Sequence, residues 1–345
     1  MCVPKMLLAD EPVRNLIRVK HYQRKSGSGF YSIERVFEDI RDELSAYIQV
    51  SVAVSRFTSR GLFRRIYNSV EAFFRQAQVN HIVGDVHFLA CLLSRKKTVV
   101  TIHDCVMMTR LPTFRRWIYW FFWLWLPVHR AAVVTVVSES TRRELLRHVK
   151  VSPKKIQVIH NGVSPEFRYS ARDICDSSPV FLQIGTTPNK NIEKVVCALK
   201  GKKCTLVILG KPTEQQIELL ELCEVPYKFF VNLSRYEVLE QYRLADVVLF
   251  VSTYEGFGLP ILEANAVGRP VITSNRGSMI EIGGDSACLV DPDDVASISD
   301  GIDRVVFDKA YRSQLIESGL ENVKRFSCAA AAAKYELIYR DLGHA

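Results

Sequence analysis

The stretch Ala245-Asp246-Val247-Val248-Leu249-Phe250-Val251-Ser252-Thr253-Tyr254-Glu255-Gly256-Phe257-Gly258-Leu259-Pro260-Ile261-Leu262-Glu263 decides how this chain is read. Its opening run, from Ala245 to Val251, is short, apolar and β-rich, the pattern of a strand buried on both faces of a parallel sheet. Leu259-Pro260 reads as a helix start, because proline suits the first helical position. The glycines fall between strand and helix, where backbone amides can face an anion at the helix N-terminus. Glu255 then stands at the carboxyl end of the strand and Glu263 about one turn into the helix. Ligands of open α/β sheets bind along that edge. An anion-binding turn flanked by two carboxylates suits a ligand that is part phosphate and part sugar. The spacing alone leaves a plainer alternative open, since strand–glycine–helix turns recur in many α/β domains and helix glutamates are usually just solvated.

Outward from this stretch, short apolar runs alternate with helical patterns, which indicates an α/β protein with parallel sheets. In the first half, strands are expected at Asn15–Lys20, Tyr47–Val54, His81–Gly84, Thr98–Ile102, Val133–Val137 and Ile156–Ile159. Helices are expected near Tyr31–Leu44 and at Gly61–Gln76, Phe114–Leu126 and Ser140–Val149. The second half restarts the pattern, with strands at Val180–Ile184, Thr205–Leu209, Lys228–Val231, Asp246–Val251 and Pro270–Thr273. Its helices are Ile192–Leu199, Thr213–Cys223, Arg235–Arg243, Leu259–Val267 and Val295–Phe307. The polar, turn-rich segment Asp173–Pro179 marks a boundary near 165–179. The expected organisation is a Rossmann-like domain over 1–165, a second over 166–325, and an alanine-rich helix over 326–345 that packs back towards the first.

A chain of 345 residues has room for two cores, and 48% hydrophobic with 24% charged residues is the balance of a soluble globular protein. Nine cysteines, an odd total with no Cys-x-x-Cys pair, argue against a disulfide framework or zinc site and for a reducing compartment. Met1–Asp10 lacks a basic start followed by a long apolar stretch, so no signal peptide is expected. The net charge of +9 is unevenly spread: residues 1–165 hold 26 Lys/Arg and 12 Asp/Glu, the remainder 20 and 25. A basic first half favours an anionic membrane, a nucleic acid or a phosphorylated substrate. No basic motif interleaved with aromatics supports nucleic acid. Trp117–Val128 is apolar or aromatic throughout, carries all four tryptophans and is flanked by Arg115-Arg116 and His129-Arg130. It is too short to span a bilayer, which takes about 20 residues. It reads either as a core helix or as an interfacial segment on the cytoplasmic face of an anionic membrane.

Several segments together resemble the retaining family-four glycosyltransferases, which have the GT-B fold of two Rossmann-like domains facing a cleft. Ile159-His160-Asn161-Gly162-Val163 resembles the hinge signature, and Ile184-Gly185-Thr186-Thr187-Pro188-Asn189-Lys190-Asn191 the phosphate-binding turn. Tyr254–Glu263 matches the Glu, seven residues, Glu motif. Gly268-Arg269-Pro270-Val271-Ile272 and Ser278-Met279-Ile280-Glu281 follow in order. In the first half the likeness rests on Thr101-Ile102-His103-Asp104, Val137-Ser138-Glu139-Ser140 and the glycine loop at 27–29.

The resemblance implies roles. Glu263 would take the ribose hydroxyls and Glu255 the transferred sugar. Gly185, Thr186 and Lys190 would meet the diphosphate, together with the amides of Gly256, Phe257, Gly258 and Leu259. His103 would contact sugar or phosphate across the cleft, unless it is a structural histidine closing the loop with Asp104. Gly29, with Ser28, would belong to a loop that meets the diphosphate or acceptor. One departure is Thr186, where many relatives have an arginine, which leaves Lys190 alone unless Lys211 supplies the charge. No Asp-x-Asp metal motif is apparent, and Asp291-Pro292-Asp293-Asp294 reads as a turn and helix cap. The implied reaction is metal-independent transfer of a sugar, with retention, from a nucleotide-sugar to an acceptor hydroxyl. GDP-mannose is slightly favoured over UDP-sugars, the acceptor is expected to be a lipid-linked or surface polysaccharide, and no cofactor beyond the nucleotide-sugar substrate is expected. A glycoside hydrolase also uses two carboxylates but needs no phosphate turn. A non-catalytic nucleotide-sugar-binding protein of the same fold remains the alternative.

Overall fold

The computed structural model describes residues 16–25 and 32–344. It contains two parallel six-stranded sheets. The first is built from β1 Ile17–Gln23, β2 Ile48–Val54, β3 Val79–Ile82, β4 Thr98–Ile102, β5 Val133–Val136 and β6 Ile156–Val158, in the order β2-β1-β3-β4-β5-β6. The second is built from β7 Val180–Ile184, β8 Thr205–Leu209, β9 Tyr227–Phe230, β10 Val247–Phe250, β11 Val271–Ser274 and β12 Cys288–Val290, in the order β12-β11-β10-β7-β8-β9. Register is direct: Val19 of β1 lies opposite Val50 and Val79, and Val248 of β10 opposite Leu182 and Val271. In the second sheet the order reverses between β7 and β10. That is the switch point at which loops diverge and leave a crevice at the carboxyl ends.

The elements around that crevice are those the sequence delineates most sharply. β4, β7, β8 and the helices Ile192–Leu199, Leu259–Val267 and Val295–Phe307 fall where the periodicity places them. All four residues of β10 are buried, which explains its unbroken apolar run. The helix Leu259–Val267 is buried nearly all round, with Ile261, Leu262, Ala264 and Val267 inaccessible, so its sequence lacks a polar face. β12 and the helices Gly277–Gly283 and Lys309–Val323 are additional elements that the sequence pattern leaves unmarked. Asp294 caps the helix Val295–Phe307 by accepting from the Ala296 N–H at 2.9 Å, and Arg276 ion-pairs with Asp291 and Asp293.

The final helix, Cys328–Gly343, packs on the first sheet. Ala331, Ala332, Tyr335 and Tyr339 join Ile17, Val19, Phe37 and Ile40 in one core. Small alanines allow the close approach, and the tyrosine hydroxyls meet buried polar groups of the strands. Tyr339 Oη lies 2.9 Å from His21 Nε2 and 2.7 Å from His81 Nδ1, and Thr101 Oγ1 lies 2.7 Å from His81 Nε2. Burial, reinforced by Arg41, pushes His21 down to about 3, so this cluster is neutral and structural.

The aromatic segment turns mostly inward. Thr113–Tyr119 is α-helical, Trp120–Trp125 forms a π-helical turn, and Leu126–Arg130 resumes the α-helix. Trp123 and Leu124 are core residues, with Trp120 and Trp125 packed against that core. Two indole N–H groups are satisfied within the protein: Trp123 donates to Asp85 Oδ1 at 2.7 Å and Trp120 to the His148 carbonyl at 2.9 Å. The segment thus supplies core residues, while Phe114, Trp117 and Phe122 stay exposed. Among the described residues, the cysteines are free thiols.

The chain crosses between the sheets twice, side by side. The Val163 N–H donates to the Phe326 carbonyl at 3.0 Å, and Val163 bridges Ser327. A Cβ on Gly162 would overlap the backbone of Cys328, lying 2.5 Å from its Cα. Neither strand can yield without moving a domain, so Gly162→Ala is expected to lower stability by about 2–3 kcal/mol. Denaturant titration tests this, and an unchanged midpoint would contradict it.

Candidate active site

Two turns meet at the carboxyl edge of the second sheet. After β7 the chain turns at Gly185, whose φ of +86° lies in the left-handed region that glycine tolerates. A short 3-10 turn, Pro188–Lys190, follows. After β10 comes the Glu255–Gly258 turn, and Gly258 caps the helix Leu259–Val267 with φ +114°. The turns are tied together, since the Thr253 N–H donates to the Asn189 carbonyl at 2.8 Å. Buried Gln183 donates to the Lys190 carbonyl at 3.0 Å and fixes the first turn from below.

Lys190 and Glu255 form an ion pair at 2.6 Å, with 18% and 17% of their side chains exposed. The Lys190 chain lies over Gly185, where an added Cβ would stand 3.1 Å from its Cγ, and its ammonium sits 4.6 Å from the Phe250 ring centroid. The lysine is therefore held from three sides. Asn189 donates to Glu255 Oε1 and to the Tyr254 carbonyl, both at 3.1 Å. Glu263 lies deeper. Burial raises its pKa against a hydrogen bond from Tyr242 and the fields of Arg35, Lys190 and Arg235. Lys190 thus acts electrostatically on both glutamates.

The remaining expected donor-binding positions divide by what they offer. Thr186 directs its hydroxyl to the Lys211 carbonyl at 3.0 Å, so the hydroxyl proton is committed to the loop. Phe257 is buried beside Phe326 and His160, which leaves only its backbone for a ligand. Leu259 is partly buried and packs against the cores of both halves. Gly29 and its neighbours lie outside the described residues.

The first domain closes the opposite wall. A Cβ on Gly256 would overlap the His103 carbonyl oxygen and come within 2.9 Å of Asp104 Cβ. The Gly256 carbonyl accepts from Ser138 Oγ at 2.7 Å and Thr141 Oγ1 at 2.9 Å. Tyr254 Oη accepts from the Cys105 N–H at 3.0 Å and donates to Glu144 at 2.5 Å. Glu281 accepts from the Glu139 and Ser140 amides, at 2.8 and 3.0 Å, so it caps the helix Glu139–His148 from the other domain. His160 Nε2 completes that contact at 2.9 Å. Burial opposes ionisation of Glu281, but these hydrogen bonds prevail and hold its pKa below the usual value.

His103 Nε2–H donates to the Val83 carbonyl at 2.9 Å, and burial lowers its pKa to about 4. The ring is neutral near pH 7, with Nδ1 as its acceptor. Asp104, Val106 and Arg110 face Asn189, Tyr254, Glu255 and Gly256 across a cavity of about 130 Å³. Arg110 Nη2 donates to Asn189 Oδ1 at 2.9 Å. Asp104, Asn189 and Tyr254 lie inside the motifs quoted from sequence but are given no ligand-binding role there, and Arg110, six residues past His103-Asp104, is missed. Their roles depend on the opposite domain.

Residues 33–167 match the profile described as Glycosyltransferase Family 4, and residues 171–322 match Glycosyl transferases group 1. An uncharacterized glycosyltransferase of Methanocaldococcus jannaschii is 30% identical over 226 residues, 58% of this chain and 57% of that protein. The O-antigen chain mannosyltransferase B of Escherichia coli is 30% identical over 222 residues, 57% of each. The chain thus spans little more than half the length of these relatives. The crystal structure of Anabaena HepE in complex with UDP and glucose superposes with a TM-score of 0.75 at 16% identity, covering 93% of this chain and 99% of that one. The shared fold is GT-B.

Asp104 gives this geometry a pH signature. Burial pushes its carboxyl up to about 6 from 3.8; the Val106 N–H opposes this, while Asp85, Glu255 and Glu144 reinforce it. Stability linked to the protonated form is lost as pH rises through about 6. Asp104→Asn should therefore melt above the wild type at pH 8, with the gain shrinking towards pH 5. A gain independent of pH would contradict the assignment.

Proposed function

The chain belongs to the family-four glycosyltransferases of the GT-B fold and is mannosyltransferase-like, and on that footing we propose that it transfers a sugar from a nucleotide-sugar to a hydroxyl of a lipid-linked or cell-surface polysaccharide. The observation that carries the reading is the Lys190–Glu255 pair, 2.6 Å apart at the switch point of the second sheet, with Glu255 facing Asp104 and Arg110 across the cleft. Glu263 is assigned the ribose hydroxyls, with Tyr242 orienting its carboxylate. Glu255 is assigned hydroxyls of the transferred sugar. The amides around Gly258 and the Lys190 ammonium are assigned the diphosphate.

With Lys190 already paired to a carboxylate, an entering diphosphate needs further positive charge. Arg110, bonded to Asn189 from the first domain, is better placed for this than Lys211, whose carbonyl rather than ammonium meets Thr186. As the sugar–phosphate bond breaks, negative charge builds on the leaving phosphate, where these cations and amides act. The acceptor oxygen bonds to the anomeric carbon on the face the phosphate leaves, and its proton passes to a phosphate oxygen. Configuration is thereby retained, and the charge is met without a metal ion. Neutral His103 accepts a hydrogen bond from a sugar hydroxyl through Nδ1 and does not serve as an acid.

Mannose is favoured as the transferred sugar by relatives named as O-antigen chain mannosyltransferases; GDP is kept as its slightly favoured carrier on the resemblance of the motifs alone, with UDP-sugars next because HepE is solved with UDP-glucose. The same relatives favour a polysaccharide acceptor, and the basic first half favours work at the cytoplasmic membrane surface. Glu255→Ala and Lys190→Ala should each lower sugar transfer at least about tenfold, or ~1.4 kcal/mol of transition-state stabilisation. Arg110→Ala should weaken binding of the nucleoside diphosphate roughly tenfold while sparing the nucleoside. Radiolabelled transfer assays and calorimetry measure these. Near-wild-type turnover in the first two variants would overturn the site, and donor binding without transfer to any acceptor would favour the non-catalytic alternative.

A further inference from the structure

The helix Leu62–Phe74 is built inside out. It buries Asn68, Ser69 and Ala72, whereas Phe63 and Phe74 are 85% and 79% exposed and Leu62 65%. Ile66, Val70 and Phe73 extend the open stripe. A helix at the surface of a soluble domain ordinarily points its apolar stripe at the core. The orientation is specified from the buried side. Asn68 Nδ2 donates to the Phe57 carbonyl at 2.8 Å, its Oδ1 accepts from the Phe57 N–H at 3.2 Å, and the Ala72 carbonyl accepts from Tyr22 Oη at 3.2 Å. Rotating the helix to hide its phenylalanines would break all three bonds.

Charge identifies what covers the stripe. From Arg56 to Arg75 the chain has five arginines and one acidic residue, Glu71, which pairs with Arg75 at 3.0 Å. Arg56, Arg60 and Arg64 are exposed. Nearby, Arg65 stacks 4.7 Å over Trp123, and the helix leading into that tryptophan exposes Phe114 and Trp117 beside Arg115. No Asp or Glu occurs between Cys105 and Ser138. A second copy of the chain would set these arginines against each other in an isologous contact. Anionic headgroups complement them, and no described helix is long and apolar enough to cross a membrane.

We propose that Leu62–Phe74 lies flat on an anionic lipid surface, with Phe63 and Phe74 entering the headgroup–acyl boundary and the flanking arginines on lipid phosphates. This rests on the reading of a membrane-borne acceptor and moves the attachment from the tryptophan segment to this helix. It sets the first domain on the surface that carries the acceptor.

Flotation with phosphatidylglycerol–phosphatidylcholine vesicles tests the proposal, with pure phosphatidylcholine as the comparison. Wild type should float with the anionic vesicles only, and the double variant Phe63→Ser, Phe74→Ser should lose roughly tenfold or more of that binding. Both side chains are exposed, so the variant should keep its melting temperature. Equal flotation of variant and wild type, no flotation of wild type, or a wild-type dimer dissociated by the substitutions would each overturn the proposal. The melting shift caused by a nucleoside diphosphate, measured on the same samples, reports separately on the donor site. Vesicle binding that depends on Phe63 and Phe74 supports the docking surface whichever way that shift falls.

Discussion

The approach of Gly256 to the first domain is the contact on which the site depends. With no Cβ at this position, the turn after β10 can lie against the His103 carbonyl, and its own carbonyl accepts from Ser138 and Thr141. That contact brings the Glu255 turn, with Lys190 behind it, opposite Asp104 and Arg110. Glu281 at the start of the helix Glu139–His148 adds a second fastening, where carboxylate and exposed amides meet at a helix N-terminus. Both fastenings use backbone groups of one domain and side chains of the other. Closure is therefore specific in direction.

Electrostatics inside the cleft follow from that closure. Burial raises the pKa of both Glu263 and Asp104. Lys190 pairs with Glu255 by contact and acts at longer range on Glu263, against that rise. The groups that act on Asp104 are carboxylates, Asp85, Glu255 and Glu144, and they add to it. A cleft crowded with carboxylates suits hydroxyl-rich ligands, since each carboxylate accepts several hydrogen bonds. It suits a diphosphate only where cations and amides concentrate, which is at Lys190, Arg110 and the Gly258 helix start. On the proposed function, sugar and phosphate would be held at different points of one cleft.

The parts legible in sequence share a property: their signal is local. Buried parallel strands such as Val180–Ile184 give unbroken apolar runs, and the Glu255–Glu263 spacing records a strand, a turn and a helix in one stretch. β12, three residues long, leaves no period to detect, and the helix Lys309–Val323 lacks a clear apolar stripe. The tryptophan segment carries the composition of an interfacial helix, but composition does not say which face is already covered. Asp85 and His148 claim two of its indoles, and both lie far away in sequence. The same limit hid Arg110 and the cleft-facing position of Asp104, which matter because Gly256 brings the second domain to them. Conversely, Leu62–Phe74 reads as an ordinary amphipathic helix until Asn68 is seen to anchor its polar side inward.

The central claim is that a nucleotide-sugar site is assembled between the two domains at Gly256. It is tested most directly by the melting temperatures of wild type and Gly256→Ala, each with GDP, UDP and ADP. A ligand that binds only the folded state raises its melting point. The account predicts that one of these diphosphates raises the wild-type melting temperature by several degrees and raises that of Gly256→Ala markedly less. No shift with any of the three, or an equal shift in both proteins, would contradict it.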